Sequence, residues 1–122
     1  MDRLTENFSR SEFKCKCGEC SQDTIDYKLL ELLQTLRNRT GARITINSGN
    51  RCPAHNGAVG GAPNSQHLLG RAADIVVEGV SPSQVGSMME ELMGAAGGIG
   101  IYETFTHIDT RTNGMWRHNF TN

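Results

Sequence analysis

The run ADIVV, Ala73 to Val77, restricts the fold more than any other stretch of this chain. Apart from its aspartate it is apolar throughout, which predicts a strand in the interior of a sheet. A carboxylate is costly to bury in such a place unless something binds it. Seven residues upstream, in SQHLLGRAADI (Ser65 to Ile75), stands His67, with small and apolar residues and the turn-forming Gly70 between the two. Two readings are open at this point. Leu68, Leu69, Ala72, Ala73 and Ile75 form plain core with polar residues at its edges, or His67 and Asp74 face one site and bind something that needs both.

Around this stretch the chain reads as a single domain, residues 1–122. Ser9 to Glu12 is a capping box that predicts a short helical turn. Ile25, Leu29, Leu32, Leu33 and Leu36 recur at helical spacing, with Asp23 or Thr24 as the cap and Gly41 as the stop. RITINS, Arg43 to Ser48, alternates polar and β-branched residues and reads as a strand. Gly49 to Gly70 is rich in Gly, Asn and Pro and reads as a long loop with room for one helical turn. A loop of that length inside a compact domain is usually functional. Ser81-Pro82-Ser83-Gln84 is a second capping box with proline at the first helical position. Val85, Met88, Met89, Leu92 and Met93 then form an amphipathic stripe whose methionines read as core filler, ended by Gly94, Gly97 and Gly98. IGIY and FTHID read as two short strands, or as one strand kinked at Glu103-Thr104, and Asn113-Gly114 as a turn before Trp116. Helices followed by several short strands predict an α+β fold.

At 122 residues the chain can build one modest core. A formal net charge of −1 gives no electrostatic argument for nucleic acid or an anionic membrane surface. No apolar run approaches the roughly 18–20 residues of a membrane span. The opening MDRLTENFSR carries charges where a secretory signal would be apolar, so a product made in the cytoplasm without a signal peptide is expected. Cys15, Cys17 and Cys20 lie close together and Cys52 precedes Pro53. A structural zinc site, disulfides and free thiols are all open for these four, the Cys15-x-Cys17 spacing being tight for a standard zinc knuckle.

His107 and Asp109, two residues apart on the last predicted strand, share a face. Together with His67 and Asp74 they offer two imidazoles and two carboxylates, and two imidazoles with one carboxylate are the ligand set of a catalytic zinc site that keeps one position open for water. Each residue alone is a weaker signal, since a single histidine more often makes a plain hydrogen bond and a single aspartate more often caps a turn.

SQHLLGRAADI resembles the S-x-H-x-x-G-x-A-x-D signature of the M15 zinc peptidases, the D-Ala-D-Ala carboxypeptidase and peptidoglycan endopeptidase group, at Ser65, His67, Gly70, Ala72 and Asp74. GIGIYETFTHIDTR (Gly98 to Arg111) is similar to the family's second signature, and SGNRCPAHN (Ser48 to Asn56) to the loop in which it carries a substrate-facing arginine. The opening LTENFSRSEFKCKCG is similar to the small phage-type members. The resemblance implies His67, Asp74 and His107 as zinc ligands. It also implies the small α+β fold shared with the hedgehog signalling domain, a short antiparallel sheet with helices packed on one side.

The same resemblance implies a general base a few positions before the last histidine, often three, where this chain has Thr104. Glu103 is then the candidate base. Asp109 competes for that role, or serves as the acceptor that holds a ligand imidazole in its tautomer. Arg51 suits a substrate carboxylate or carbonyl because guanidinium offers a planar fork of donors. Ser65 and Gln66 are candidates for substrate contact or for shaping the turn, whereas His55 reads as structural and His118 as exposed. The expected function is a monomeric zinc-dependent peptidase acting on the stem peptide of bacterial peptidoglycan after release, as a phage or prophage lysin does. A zinc-containing binding module without catalysis is the alternative, and a protein whose His and Asp are purely structural a third.

Overall fold

The computed structural model describes residues 2–121. Helix α1 (Tyr27–Thr40) buries Leu29, Leu30, Leu33 and Leu36 and ends at Gly41, whose φ of 63° is the left-handed cap that glycine adopts without strain. It begins later than Asp23 or Thr24, the caps the sequence predicts. The Thr24 N–H donates to Asn50 Oδ1 at 2.9 Å and the Asp26 N–H to the Gly70 carbonyl at 2.9 Å. These ties hold the preceding segment extended against the 49–70 loop, and Asp26 becomes the residue before the first turn. Ile25 still joins the core, but from outside the helix.

Strands β1 (Ile44–Ser48), β2 (Ala72–Val77), β3 (Gly97–Ile101), β4 (Thr106–Asp109) and β5 (Met115–Asn119) form one sheet in the order β1-β2-β4-β3-β5. The first three pairings are antiparallel and β5 runs parallel to β3, so the sheet is mixed rather than wholly antiparallel. Both edges of β4 are already taken by β2 and β3. The strand that returns after β4 pairs with the free edge of β3, and by reversing β4 it runs parallel to β3. Helix α2 (Pro53–Ala58) and a 3-10 turn (Gln66–Leu69) give the 49–70 loop more order than its composition predicts. Helix α3 (Pro82–Met93) starts at the Ser81–Gln84 capping box, and the box at Ser9–Glu12 opens a 3-10 turn (Arg10–Phe13).

The core lies on one face of this α+β sheet. Ile44, Ile46, Ala73, Ile75, Val77, Ile99 and Ile108 pack with the leucines of α1, with Val85 and Met89 of α3, and with Phe8 and Phe13. Strand side chains alternate, so the residues between these positions, Asp74 and His107 among them, project from the opposite face. No helix among the described residues is long and apolar enough to cross a membrane.

Candidate metal centre

Asp74 and His107 are direct cross-strand partners in the β2–β4 register, which sets their side chains next to each other on the face away from the helices. His67 reaches them from the 3-10 turn before β2. The Ser65 hydroxyl starts that turn by accepting the His67 N–H at 3.1 Å. Gly70 ends it at φ 72°, with Thr24 O only 2.6 Å from where a Cβ would sit. The chain can therefore reverse into β2 only with glycine at this position.

The far nitrogen of each imidazole is committed to an acceptor. His67 Nδ1 lies 2.7 Å from the Gly49 carbonyl, and His107 Nε2 lies 2.8 Å from Asp109 Oδ2. Neither acceptor carries a proton, so each of these nitrogens is the N–H of its ring. The lone pairs of a neutral ring are then on His67 Nε2 and His107 Nδ1, the two atoms that converge on Asp74 Oδ1 at 3.2 and 3.0 Å. The three candidate ligand atoms lie within 4.8 Å of one another. Two imidazole lone pairs and one carboxylate, each oriented by a hydrogen bond behind it, form a donor set that suits zinc.

The electrostatics point the same way. Burial alone would push the Asp74 carboxyl upward, but hydrogen bonds and charge from His107 and His67 hold it well below the usual carboxylate range. Burial likewise disfavours charge on His107, yet hydrogen bonding to Asp109 and Asp74 raises its pKa overall. Both shifts express one fact: the imidazoles and the carboxylates they touch stabilise each other's charged forms. Arg51 and Arg111 complete the frame. Arg51 Nη2 donates to Asp74 Oδ2 at 3.2 Å, while Arg111 clamps Asp109 through Nε at 2.8 Å and Nη2 at 2.7 Å.

Asp109 is wholly buried, with its oxygens shared between His107 and Arg111, so it faces the ring rather than solvent. Glu103 is exposed on the turn between β3 and β4, flanked by Tyr102 and Phe105, which line the cleft over the metal centre while Glu103 does not. That cleft has a volume of about 660 Å³. Arg51, Ser65 and Gln66 all line it, but the first two are also structural: the Arg51 guanidinium donates to Ser48, Asn56 and Asp74, and Ser65 caps the turn. Gln66 Oε1 is buried without a hydrogen-bond partner. His118 is exposed and His55 half-buried in α2.

Sequence reasoning missed three parts of this site. Arg111 was findable, since it stands two residues after Asp109 and so on the same side of an extended segment. The aromatic wall of Tyr102, Phe105, Trp116 and Phe120 was not, because Trp116 lies on β5 and Phe120 directly after it, and the pattern does not predict that strand's pairing. The Gly49 carbonyl is backbone and leaves no side-chain signal at all.

Residues 6–109 match a protein-family model described as Peptidase M15. No curated protein matches the chain.

Proposed function

This chain belongs to the M15 peptidase family, and from that premise we propose that it is a zinc-dependent peptidase that hydrolyses amide bonds in the stem peptide of bacterial peptidoglycan. The observation that carries the reading is the convergence of His67 Nε2 and His107 Nδ1 on Asp74, with both rings fixed from behind. These three residues would hold the ion. When bound, zinc supplies Lewis acidity toward a peptide carbonyl and toward water.

The chain's own residues supply the rest. Asp109 keeps the His107 lone pair aimed at the site, and Arg111 keeps Asp109 in place. Arg51 orients Asp74 by holding its second oxygen. The formal charges of two carboxylates and two guanidiniums cancel, so a bound divalent ion leaves the centre positive and suited to an anionic peptide, such as one ending in a free carboxylate. Arg51, at the cleft wall, is the residue proposed to meet that carboxylate, with Ser65 and Gln66 beside it. Tyr102, Phe105, Trp116 and Phe120 give the stem peptide an apolar wall to lie against. Glu103 is the proposed general base, brought in from the β3–β4 turn once substrate fills the cleft. We place the action at the cell wall after release, as a lysin acts.

Digestion of purified cell walls, read by mass spectrometry of the muropeptides, tests this. New stem-peptide termini should form, vanish with chelator, and return with zinc. Glu103→Gln should lower turnover by about 10²–10⁴-fold at unchanged zinc content; full activity in that variant would remove Glu103 from the mechanism.

A second reading has its own support. Among the described residues Asp74 is the only carboxylate that lines the cleft, so no acid stands ready beside the ligands. A zinc-containing module that binds wall peptide without cutting it fits that observation. Zinc-loaded protein that retains stem peptide and releases no new termini would establish it.

A further inference from the structure

The second cluster of metal-ligating side chains lies outside the cleft. Cys15 is buried just beyond the first 3-10 turn, Cys17 and Cys20 flank a turn whose Gly18 sits at φ 80°, and Cys52 precedes α2. Their four sulfurs lie within 4.8 Å of one another, and Cys17 and Cys20 are 3.5 Å apart. A tetrahedron with metal–sulfur bonds of about 2.3 Å has sulfur–sulfur edges of about 3.8 Å, so the cluster needs little movement to close. Backbone N–H groups also point at the sulfurs. Cys52 N–H donates to Cys15 Sγ at 3.3 Å, Glu19 N–H to Cys17 Sγ at 3.3 Å, and His55 N–H to Cys52 Sγ at 3.4 Å. Such donors favour thiolate, whereas a neutral thiol or disulfide sulfur accepts only weakly.

We propose that Cys15, Cys17, Cys20 and Cys52 form a second, structural metal site that takes a soft divalent ion, zinc, as a tetrathiolate. The tight Cys15-x-Cys17 spacing is no obstacle, because Cys52 brings the fourth sulfur from across the fold and the turn at Gly18 folds Cys20 back. On binding, four S–H bonds break heterolytically, four metal–sulfur bonds form, and four protons pass to solvent, with no change of oxidation state. The ion would fasten residues 15–20, which lie outside any helix or strand, to the loop that carries Arg51. The surroundings are already linked in that sense. Cys15 N–H donates to Gln22 O at 2.7 Å, Gln22 Nε2 donates to Arg51 O at 3.2 Å, and the Arg51 guanidinium holds Asp74. The tetrathiolate thus buttresses the catalytic centre without touching it.

Metal analysis and native mass spectrometry of the full chain, purified under reducing conditions, test the proposal alongside cobalt(II) substitution. Wild type should hold two metal equivalents, and its cobalt form should show thiolate-to-cobalt charge-transfer absorption in the near ultraviolet. Asp74→Ala should keep one equivalent and the full charge-transfer band, which separates this site from the cleft. The double variant Cys17→Ser, Cys20→Ser should lose that equivalent and that band. Should this variant fail to fold, the wild-type and Asp74→Ala spectra still decide. A single equivalent lost with Asp74→Ala, a cobalt form without the thiolate band, or a mass lighter by four hydrogens from two disulfides would each overturn the site.

Discussion

His107 sits between two carboxylates, and the two have different work. Asp74 faces its lone pair; Asp109 accepts the hydrogen bond of the far N–H and is itself held by both arms of Arg111. A buried carboxylate fixed on both sides is a positioning group, and such partners of ligand imidazoles are typically worth about 10–100-fold in metal affinity. Asp109→Asn should therefore weaken zinc binding at the cleft by about that factor, read by competition with a chromophoric chelator. Unaltered affinity would remove Asp109 from the centre. Gly98 offers an independent route to the same atom. It pairs with Asp109 across β3 and β4, and a Cβ there would lie 2.3 Å from Asp109 Oδ2. Gly98→Ala must displace that carboxylate, so it should weaken zinc as Asp109→Asn does, although it alters neither a ligand nor a hydrogen-bonding side chain. Wild-type affinity in Gly98→Ala would mean that the Asp109 contact does not orient the ring.

The elements were legible in the sequence where their causes are local. The Ser81–Gln84 box and the Val85–Met93 stripe mark α3 because capping and helical period act within one turn or two. Gly41 marks the end of α1 for a similar reason. The start of α1 was misplaced because bonds to Asn50 and Gly70, residues far along the chain, override the local caps. The strand that forms β5 could be suspected from the turn before Trp116, but its parallel partner depends on which sheet edge remains free. The site divides on the same line. Period-two spacing could put His107 with Asp109, but the pairing of Asp74 with His107 is a register between distant strands, and only the resemblance to a known signature anticipated it. Local causes also give a clean element-scale test. Ser81→Ala removes the hydroxyl that accepts the Gln84 N–H at 3.2 Å and should destabilise the fold by about 1 kcal/mol in urea unfolding. Because α3 packs on the apolar face, zinc affinity at the cleft should not move; a parallel loss of both would mean that the two faces of the sheet are coupled.

At the scale of the whole molecule the sheet is a partition, with a hydrophobic core on one side and the charged candidate metal centre on the other. A ligand that binds only the folded state stabilises it. At free zinc about 100-fold above Kd the increment is about 2.7 kcal/mol for one site. The three cleft ligands, spread from residue 67 to residue 107, come together only through the strand register, so the unfolded chain has no comparable cleft site and that increment should appear in full. The cysteines differ. Cys15, Cys17 and Cys20 are near neighbours in sequence, so the unfolded chain keeps affinity for the ion and part of the second increment is cancelled. Urea unfolding at buffered free zinc should therefore show two contributions in wild type and only that of the cysteine cluster in Asp74→Ala. An equal response of the two proteins to zinc would show that His67, Asp74 and His107 do not bind the ion together, whatever their separation in the fold.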